Sequence, residues 1–328
     1  ILKYYEIYSH KIFLQEPKPK RFYGWHFCKL LGLVIDTHHK EICIMVNFVP
    51  APFIVAPLLK VGAMWCACVF MVGGLFFPFD AVVAETTMEL RYEVQWGNMN
   101  IGEAEASWTF TQNRFEIVGK SKTVGISDKL RKYRGSSKAE GQIHHDVYRS
   151  VRIDTNGIYK GTERNANVIW NADDSQISTI RSPALDLKKV FPLRDEVVQG
   201  SIGPYTAMLR ALHTIKQTGS CNGSYKIYDG LRTAEVRLHD LGHELLTADR
   251  LSAYSGVVIK CGLTSTPTGG QRLTSRWNEK KRNSDDIIIF IAETEPSLFL
   301  PVRIEVKTFI GKVTARLVMN TLSIKSRQ

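Results

Sequence analysis

The sequence lacks the recurrent motifs by which enzyme active sites are recognised. It contains no Gly-x-Ser-x-Gly segment, the turn that presents the serine nucleophile of many hydrolases. The segment Val118-Gly119-Lys120-Ser121 resembles the end of a phosphate-binding loop, but Arg114 stands where the first glycine is required, and the surrounding pattern is that of a strand. We therefore predict no catalytic residue. A hydrolase site formed by distant loops stays open as an alternative.

Patterns that hold metal ions are also scarce. His239 and His243 are four residues apart, but a glycine lies between them and no helix is expected there. His144 and His145 are adjacent, and adjacent side chains of a strand point to opposite faces. Two pairs of carboxylates beside strands are interpreted as turn residues: Asp173-Asp174 and Asp285-Asp286. We predict neither a metal site nor a cofactor.

One long apolar run is present. Residues 61–79 (VGAMWCACVFMVGGLFFPF) follow Lys60 and precede Ala81-Val82-Val83-Ala84. A basic residue, an apolar core and a Val-x-Ala end are the three parts of a secretory signal, which predicts cleavage between Ala84 and Glu85. The alternative is an uncleaved membrane anchor, because about 20 apolar residues span a bilayer.

Three segments are therefore expected. Residues 1–56 mix His, Lys and aromatic residues without a helical or strand period, and we interpret them as a translated leader or a disordered extension. Residues 57–84 are the signal peptide or anchor. Residues 85–328 show neither a linker nor an internal repeat and are expected to form a single β-rich domain. Its expected location is the periplasm, where it is either free or held at the inner membrane.

Cysteine is rare in the exported part. Cys221 and Cys261 are the two cysteines that follow residue 84. In an exported protein this pair predicts one disulfide, and the alternative is two buried free thiols. Closing a loop of this length stabilises a protein by about 4 kcal/mol in the chain-entropy description.

Basic residues outnumber acidic ones, 43 to 32, which gives a net charge of +11. Such a balance can attract nucleic acid, anionic lipid or lipopolysaccharide. The basic residues are scattered, however, so we interpret them as a solvated surface. Because an exported protein seldom meets nucleic acid, no nucleic-acid partner is predicted. Contact with a membrane is expected only through residues 61–83, if the signal is not cleaved.

The exported part alternates apolar and polar residues in the manner of β-strands. Met88, Leu90, Tyr92, Val94 and Trp96 share one face of a first strand, and similar runs recur, with a turn expected at 154–157. Residues 203–217 instead have helical spacing, with Pro204 at the start and Gly219 after the end. We predict a mainly β protein: a curved antiparallel sheet or partly closed β-barrel of about ten strands with one packed helix.

Aromatic residues on the first strands suggest a ligand site. Tyr92, Trp96, Trp108, Phe110 and Phe115 are expected on the concave face of the curved sheet, where they would line a cavity for an apolar or lipid-like ligand. The alternative is that they fill the core, as most inward aromatic residues do.

Several short segments, spread along the exported part, carry a resemblance to a known family. They are Tyr92-Glu-Val-Gln-Trp-Gly97 with Gly102, Gly157 with Tyr159-Lys160, the segment 203–212, Tyr228-Asp229-Gly230, and Pro301-Val302-Arg303-Ile304 followed by Gly311. In order and spacing, residues 88–322 resemble the bacterial family called domain of unknown function 3108. The resemblance implies a secreted or periplasmic protein of Gram-negative bacteria, and it implies no catalytic residue. The helix segment departs from it, with Gly203 where an Asp is expected before the proline.

These observations favour an exported envelope protein that binds a lipid-like or other apolar ligand, or a partner in the envelope. A membrane-anchored scaffold and an unrecognised hydrolase are the alternatives.

Overall fold

A computed structural model of the protein describes residues 83–130, 132–159, 161–171, 177–273, 286–308 and 311–327. The leader at 1–56 and the apolar run at 61–79 lie outside the described residues, as do Asp173, Asp174 and Asp285.

Strands form most of the described chain. They are β1 (Val83–Trp96), β2 (Met99–Phe110), β3 (Arg114–Thr123), β4 (Tyr133–His144), β5 (Val147–Tyr159), β6 (Thr162–Trp170), β7 (Ile177–Ser182), β8 (Gly223–Tyr228), β9 (Thr233–Leu246), β10 (Gly256–Gly269), β11 (Ile287–Glu295), β12 (Leu298–Thr308) and β13 (Gly311–Arg327). The helices are α1 (Gly125–Leu130), α2 (Asp195–Val198) and α3 (Pro204–Thr218).

All of these strands belong to one antiparallel sheet, in the order β7-β6-β5-β4-β3-β2-β1-β13-β12-β11-β10-β9-β8. The first and last strands pair in its middle, where Trp96 lies opposite Val313 and Val83 opposite Arg327. Hairpins extend the sheet outward from this central pair in both directions. The edges are β7 and β8, and the chain between them carries α2 and α3.

The sheet must curl around α3. This helix contacts β5, β8 and β12, and β5 and β8 are ten positions apart in the sheet. At about 4.8 Å between neighbouring strands, a flat sheet would place those two strands roughly 48 Å apart, several times the diameter of a helix. A helix that touches both therefore lies inside a strongly curved, barrel-like sheet.

The sequence of α3 suits this interior position. Its buried residues lie on nearly all sides: Pro204, Tyr205, Thr206, Ala207, Met208, Leu209, Ala211, Leu212 and Ile215. The helix begins at Pro204 and is terminated by Gly219 after its last residue, with φ +68°, as the sequence predicts. No side chain of the preceding residue caps it, but Ser150 on β5 accepts a hydrogen bond from the Gly203 amide at 2.8 Å and donates one to Thr206 at 2.8 Å.

The two edges of the sheet meet through side chains. Arg181 on β7 donates hydrogen bonds to the hydroxyl of Tyr228 at 2.6 Å and to the carbonyl of Gly230 at 2.9 Å. No β7–β8 backbone ladder occurs among the described residues, and the free edge of β8 instead pairs with Ile202. A hairpin joins β8 to β9 through Asp229-Gly230. Gly230 has φ +87°, and a Cβ on it would lie 2.8 Å from Ala166 of β6, so only glycine fits this junction.

The predicted fold class is confirmed, but the predicted number of strands is wrong, since the described residues form thirteen. β5 runs without a break through the turn expected at 154–157, because β4 and β6 both pair with that stretch. β4 escaped prediction because its inward positions hold small residues, including Ser137, Ala139 and Gly141, rather than an apolar row. Two short helices, α1 and α2, accompany the predicted one, and neither has a buried residue.

Candidate functional site

The aromatic residues predicted to line a cavity belong mostly to the core. Tyr92, Trp108, Phe110 and Phe115 are almost fully buried in the same cluster as the apolar side of α3, and Trp96 is partly buried at its margin. The Tyr92 hydroxyl donates a hydrogen bond to the Pro301 carbonyl on β12 at 2.9 Å, and burial raises its pKa well above the ordinary value. The structure thus brings these residues together inside the sheet. Their role in ligand binding stays a prediction.

A groove of about 370 Å³ crosses the solvent-facing side of β2 to β6. The cross-strand register aligns its walls into two rows, one running Glu103, Lys122, Arg134, Ile158 and Glu163, and the other running Glu105, Lys120, Ser136 and Asn156. The two rows are about 6.8 Å apart, because their members lie two positions apart on each strand. The groove runs between these rows.

The floor of the groove is main chain. The inward-facing row between the two walls contributes Ser121, Gly135 and Gly157, which are neighbours across β3, β4 and β5. Because strands are about 4.8 Å apart, the five strands span roughly 19 Å, the length of about five or six residues of an extended chain.

The groove carries charges of both signs. Lys122 forms an ion pair with Glu103 at 3.0 Å. Lys120 lies directly opposite Glu105. With Arg134 and Glu163, the groove holds three basic and three acidic side chains. It therefore complements a segment of mixed charge better than a purely anionic or cationic one.

Arg134 is held in place from the α1 side. Its guanidinium donates to both carboxylate oxygens of Asp128, at 2.5 and 3.2 Å, and the Thr123 hydroxyl donates to the same carboxylate at 2.8 Å. The hydrogen bond from Arg134 is the main reason that the pKa of Asp128 lies below its ordinary value. This fixes the side chain in the middle of one wall of the groove before any partner binds.

The sequence reasoning missed the groove, although a signal was present. Glu103 and Glu105 on β2 face Lys122 and Lys120 on β3, and the short turn between these strands makes that register derivable. The lining residues include neither His nor Cys, so the groove offers no evident nucleophile–base pair.

The histidines singled out by their spacing stay separate. His239 lies opposite Gly262 and forms a hydrogen bond with Thr264 at 3.2 Å, while His243 lies opposite Ile259. The rings of His144 and His145 are tilted against each other, with centroids 4.2 Å apart. Within the described ranges, no group of three or more His, Cys, Asp or Glu side chains could hold a metal ion. Nor does that part of the chain contain a helix of the length and apolarity needed to cross a bilayer.

The predicted disulfide between Cys221 and Cys261 is confirmed. It joins the chain just before β8 to β10, across the intervening β9, and both residues are buried. It therefore fixes one edge of the sheet to its neighbours. A structural disulfide of this kind suggests an oxidising environment.

The chain is similar to proteins whose function is also unknown. No curated protein matches it. One similar solved structure is the crystal structure of a beta-barrel-like protein of domain of unknown function DUF1849 from Brucella abortus, at 6% identity and a TM-score of 0.41, covering 74% of this chain and 98% of that one. Residues 91–318, more than two thirds of the chain, match the family described as protein of unknown function (DUF3108). The chain belongs to the DUF3108 family.

Proposed function

We propose that the protein is exported to the periplasm and acts there by binding an envelope partner in the groove on β2 to β6. The observation that carries the proposal is the difference between the two sides of the sheet. The inner side is filled by α3 and the aromatic core residues, while the groove lies open on the outer side. The disulfide and the apolar run at 61–79 support export.

The partner we infer is an extended polypeptide segment carrying charges of both signs. The groove crosses five strands, with acidic side chains on β2 and β6 and basic side chains on β3 and β4 between them, so it complements charges of both signs along a bound segment. Its main-chain floor allows close approach, because the row of Ser121, Gly135 and Gly157 faces the inner side of the sheet and sends no side chain into the groove. An apolar ligand inside the sheet and a membrane-anchored scaffold are the competing proposals.

Photo-cross-linking in intact cells tests the groove. A photoreactive residue at Asn156, which is exposed within it, is expected to yield a discrete adduct. The matched control is Ser224, an exposed residue of β8 outside the groove. Adding Lys120→Glu should reduce the Asn156 adduct, because it places two acidic side chains opposite each other. Equal adducts from Asn156 and Ser224, or an adduct that Lys120→Glu leaves unchanged, would overturn the proposal.

A further inference from the structure

The short helix α1 exposes apolar side chains at one end of the sheet. Ile126 is 54% exposed and Leu130 is 61% exposed, and residues four apart lie on the same face of a helix. The amide of Val124 donates to the Ile101 carbonyl at 3.1 Å, which places α1 beside the start of β2, where Met99 is also exposed. A cluster of exposed apolar residues on a charged surface marks a place of contact.

Basic residues surround this apolar face. Residues 125–134 contain four Lys or Arg and one acidic residue, Asp128, which gives a net charge of +3. The charge of Asp128 is matched by the ion pair with Arg134 at 2.5 Å. Lys129 and Lys132 are exposed on either side of Leu130. We call Ile126, Lys129, Leu130 and Lys132 the α1 tip.

The α1 tip is held rigidly in position. Thr123 donates to the Asp128 carboxylate and accepts a hydrogen bond from the Tyr133 amide at 3.0 Å, so the chain before the helix is tied to the chain after it. The exposed apolar face is thus kept at the end of the sheet without support from a buried residue of the helix itself. Such pre-organisation lowers the entropic cost of binding.

We propose that the α1 tip docks on an anionic lipid surface, with Ile126 and Leu130 entering the interface and Lys129 and Lys132 contacting the headgroups. Apolar side chains flanked by Lys and Arg are the combination that holds a helix in the plane of a membrane interface. Charge complementarity selects the lipid: the segment is strongly basic, so anionic headgroups attract it and zwitterionic ones do not. This contact is independent of the groove and of residues 61–83.

The test is co-sedimentation with vesicles. The protein starts at Val83, because all described strands, helices and the disulfide lie within 83–327, and this start leaves out the apolar run at 61–79. Binding is compared between vesicles that contain phosphatidylglycerol and vesicles of phosphatidylcholine alone. Circular dichroism and the mass of the disulfide-bonded form check the fold of every variant.

Two double variants address the two halves of the proposal. Ile126→Ser with Leu130→Ser should weaken binding to the anionic vesicles about tenfold or more, since each apolar side chain loses its transfer to the interface. Lys129→Glu with Lys132→Glu should weaken it at least about 25-fold, because each basic residue near an anionic surface contributes about fivefold.

Matched controls lie elsewhere on the sheet. Leu245 and Val257 are cross-strand partners that are 68% and 61% exposed, so Leu245→Ser with Val257→Ser removes equal apolar surface. Lys226→Glu with Arg250→Glu reverses two exposed charges away from α1. Both controls should bind like the parent protein. Equal affinity for both kinds of vesicle, no binding to either, or equal losses in the tip and control variants would overturn the inference.

Discussion

At Gly141 the backbone of β4 leaves a space that one methyl group would close. A Cβ there would lie 2.0 Å from the ring of Phe115, its cross-strand partner, and 2.4 Å from the Arg149 carbonyl. The Phe115 ring lies over the glycine and continues toward Tyr148, 6.0 Å away between centroids. Burial, followed by the charge of Asp146, raises the pKa of Tyr148 to about 12. Aromatic packing over a strand glycine is a recurrent device of curved sheets.

Gly141→Ala should therefore destabilise the protein by about 3 kcal/mol, because neither the buried ring nor the carbonyl can move freely. Gly157→Ala on the adjacent strand is the matched control. Its added Cβ would meet nothing closer than 3.9 Å, so we expect no loss of stability and a gain of up to about 1 kcal/mol. Denaturant unfolding midpoints measure both. Similar losses at the two positions would contradict the packing described for Phe115.

The carboxylate of Asp249 makes a contribution to the free energy of unfolding that depends on pH. Its carboxylate accepts hydrogen bonds from the amides of Leu251 and Ser252, at 2.9 and 2.7 Å, and from Arg316 of β13 at 3.0 Å. Partial burial raises its pKa, but these contacts outweigh burial and hold the pKa below its ordinary value. The stabilisation is therefore present above the unfolded-state pKa of about 3.9 and is lost as the pH falls through the lower folded-state value.

Asp249→Asn should destabilise the protein at pH 6 and have a smaller effect near pH 2, because the parent carboxylate gains protons and loses its stabilising charge as the pH falls. Urea unfolding at both pH values provides the comparison, with Asp195→Asn on exposed α2 as a control. An effect of the same size at both pH values would show that the charge of Asp249 has no part in stability.

Few contacts join β7 and β8, the two edge strands of the sheet. Arg181 contributes its two hydrogen bonds to Tyr228 and Gly230, and the Tyr228 hydroxyl also reaches Thr179 at 3.0 Å. Burial raises the pKa of Tyr228, so the hydroxyl stays protonated. The edges of the sheet are thus joined by side chains where a closed barrel has a ladder.

Arg181→Met should cost about 2–3 kcal/mol, since it leaves a buried carbonyl and hydroxyl without their charged donor. It should also speed amide hydrogen exchange along β7 and β8. Arg237→Met, which removes an exposed ion pair with Glu235, should cost less than about 1 kcal/mol and leave exchange at those strands unchanged. Exchange that rises equally in both variants would show that Arg181 does not join the edges.

Some strands and helices can be predicted from the sequence, and others cannot. β1 is evident because large apolar side chains such as Met88 and Trp96 alternate with charged ones, and α3 because Pro204 and Gly219 mark its ends. β4 is not evident, since its inward Ser137 and Gly141 carry no apolar signal. The groove required the register of five strands, and the contact between Arg181 and Tyr228 joins residues 47 apart in sequence that only the curled sheet brings together.

Across the whole molecule, one arrangement connects these observations. The terminal strands pair in the middle of the sheet, the edges meet around α3, and the disulfide fixes the β8 edge to β10. The inner side is thereby filled by α3 and the core side chains packed against it, and the outer side carries the groove and the α1 tip. The proposed binding at the outer surface rests on that division, whereas a lipid carrier would need room beside α3.

Mass spectrometry of the protein isolated from its own cells, under denaturing and then native conditions, tests this account most directly. We expect a chain that begins at Glu85, with a mass lower by two hydrogens for the Cys221–Cys261 bridge, and a native mass equal to the covalent mass. A chain that retains residues 61–84 would contradict cleavage of the signal. A native mass larger by the mass of one lipid, and still larger after Ile126→Ser with Leu130→Ser alters the α1 tip, would contradict an interior filled by α3 and would assign Tyr92 and Trp108 to a ligand site.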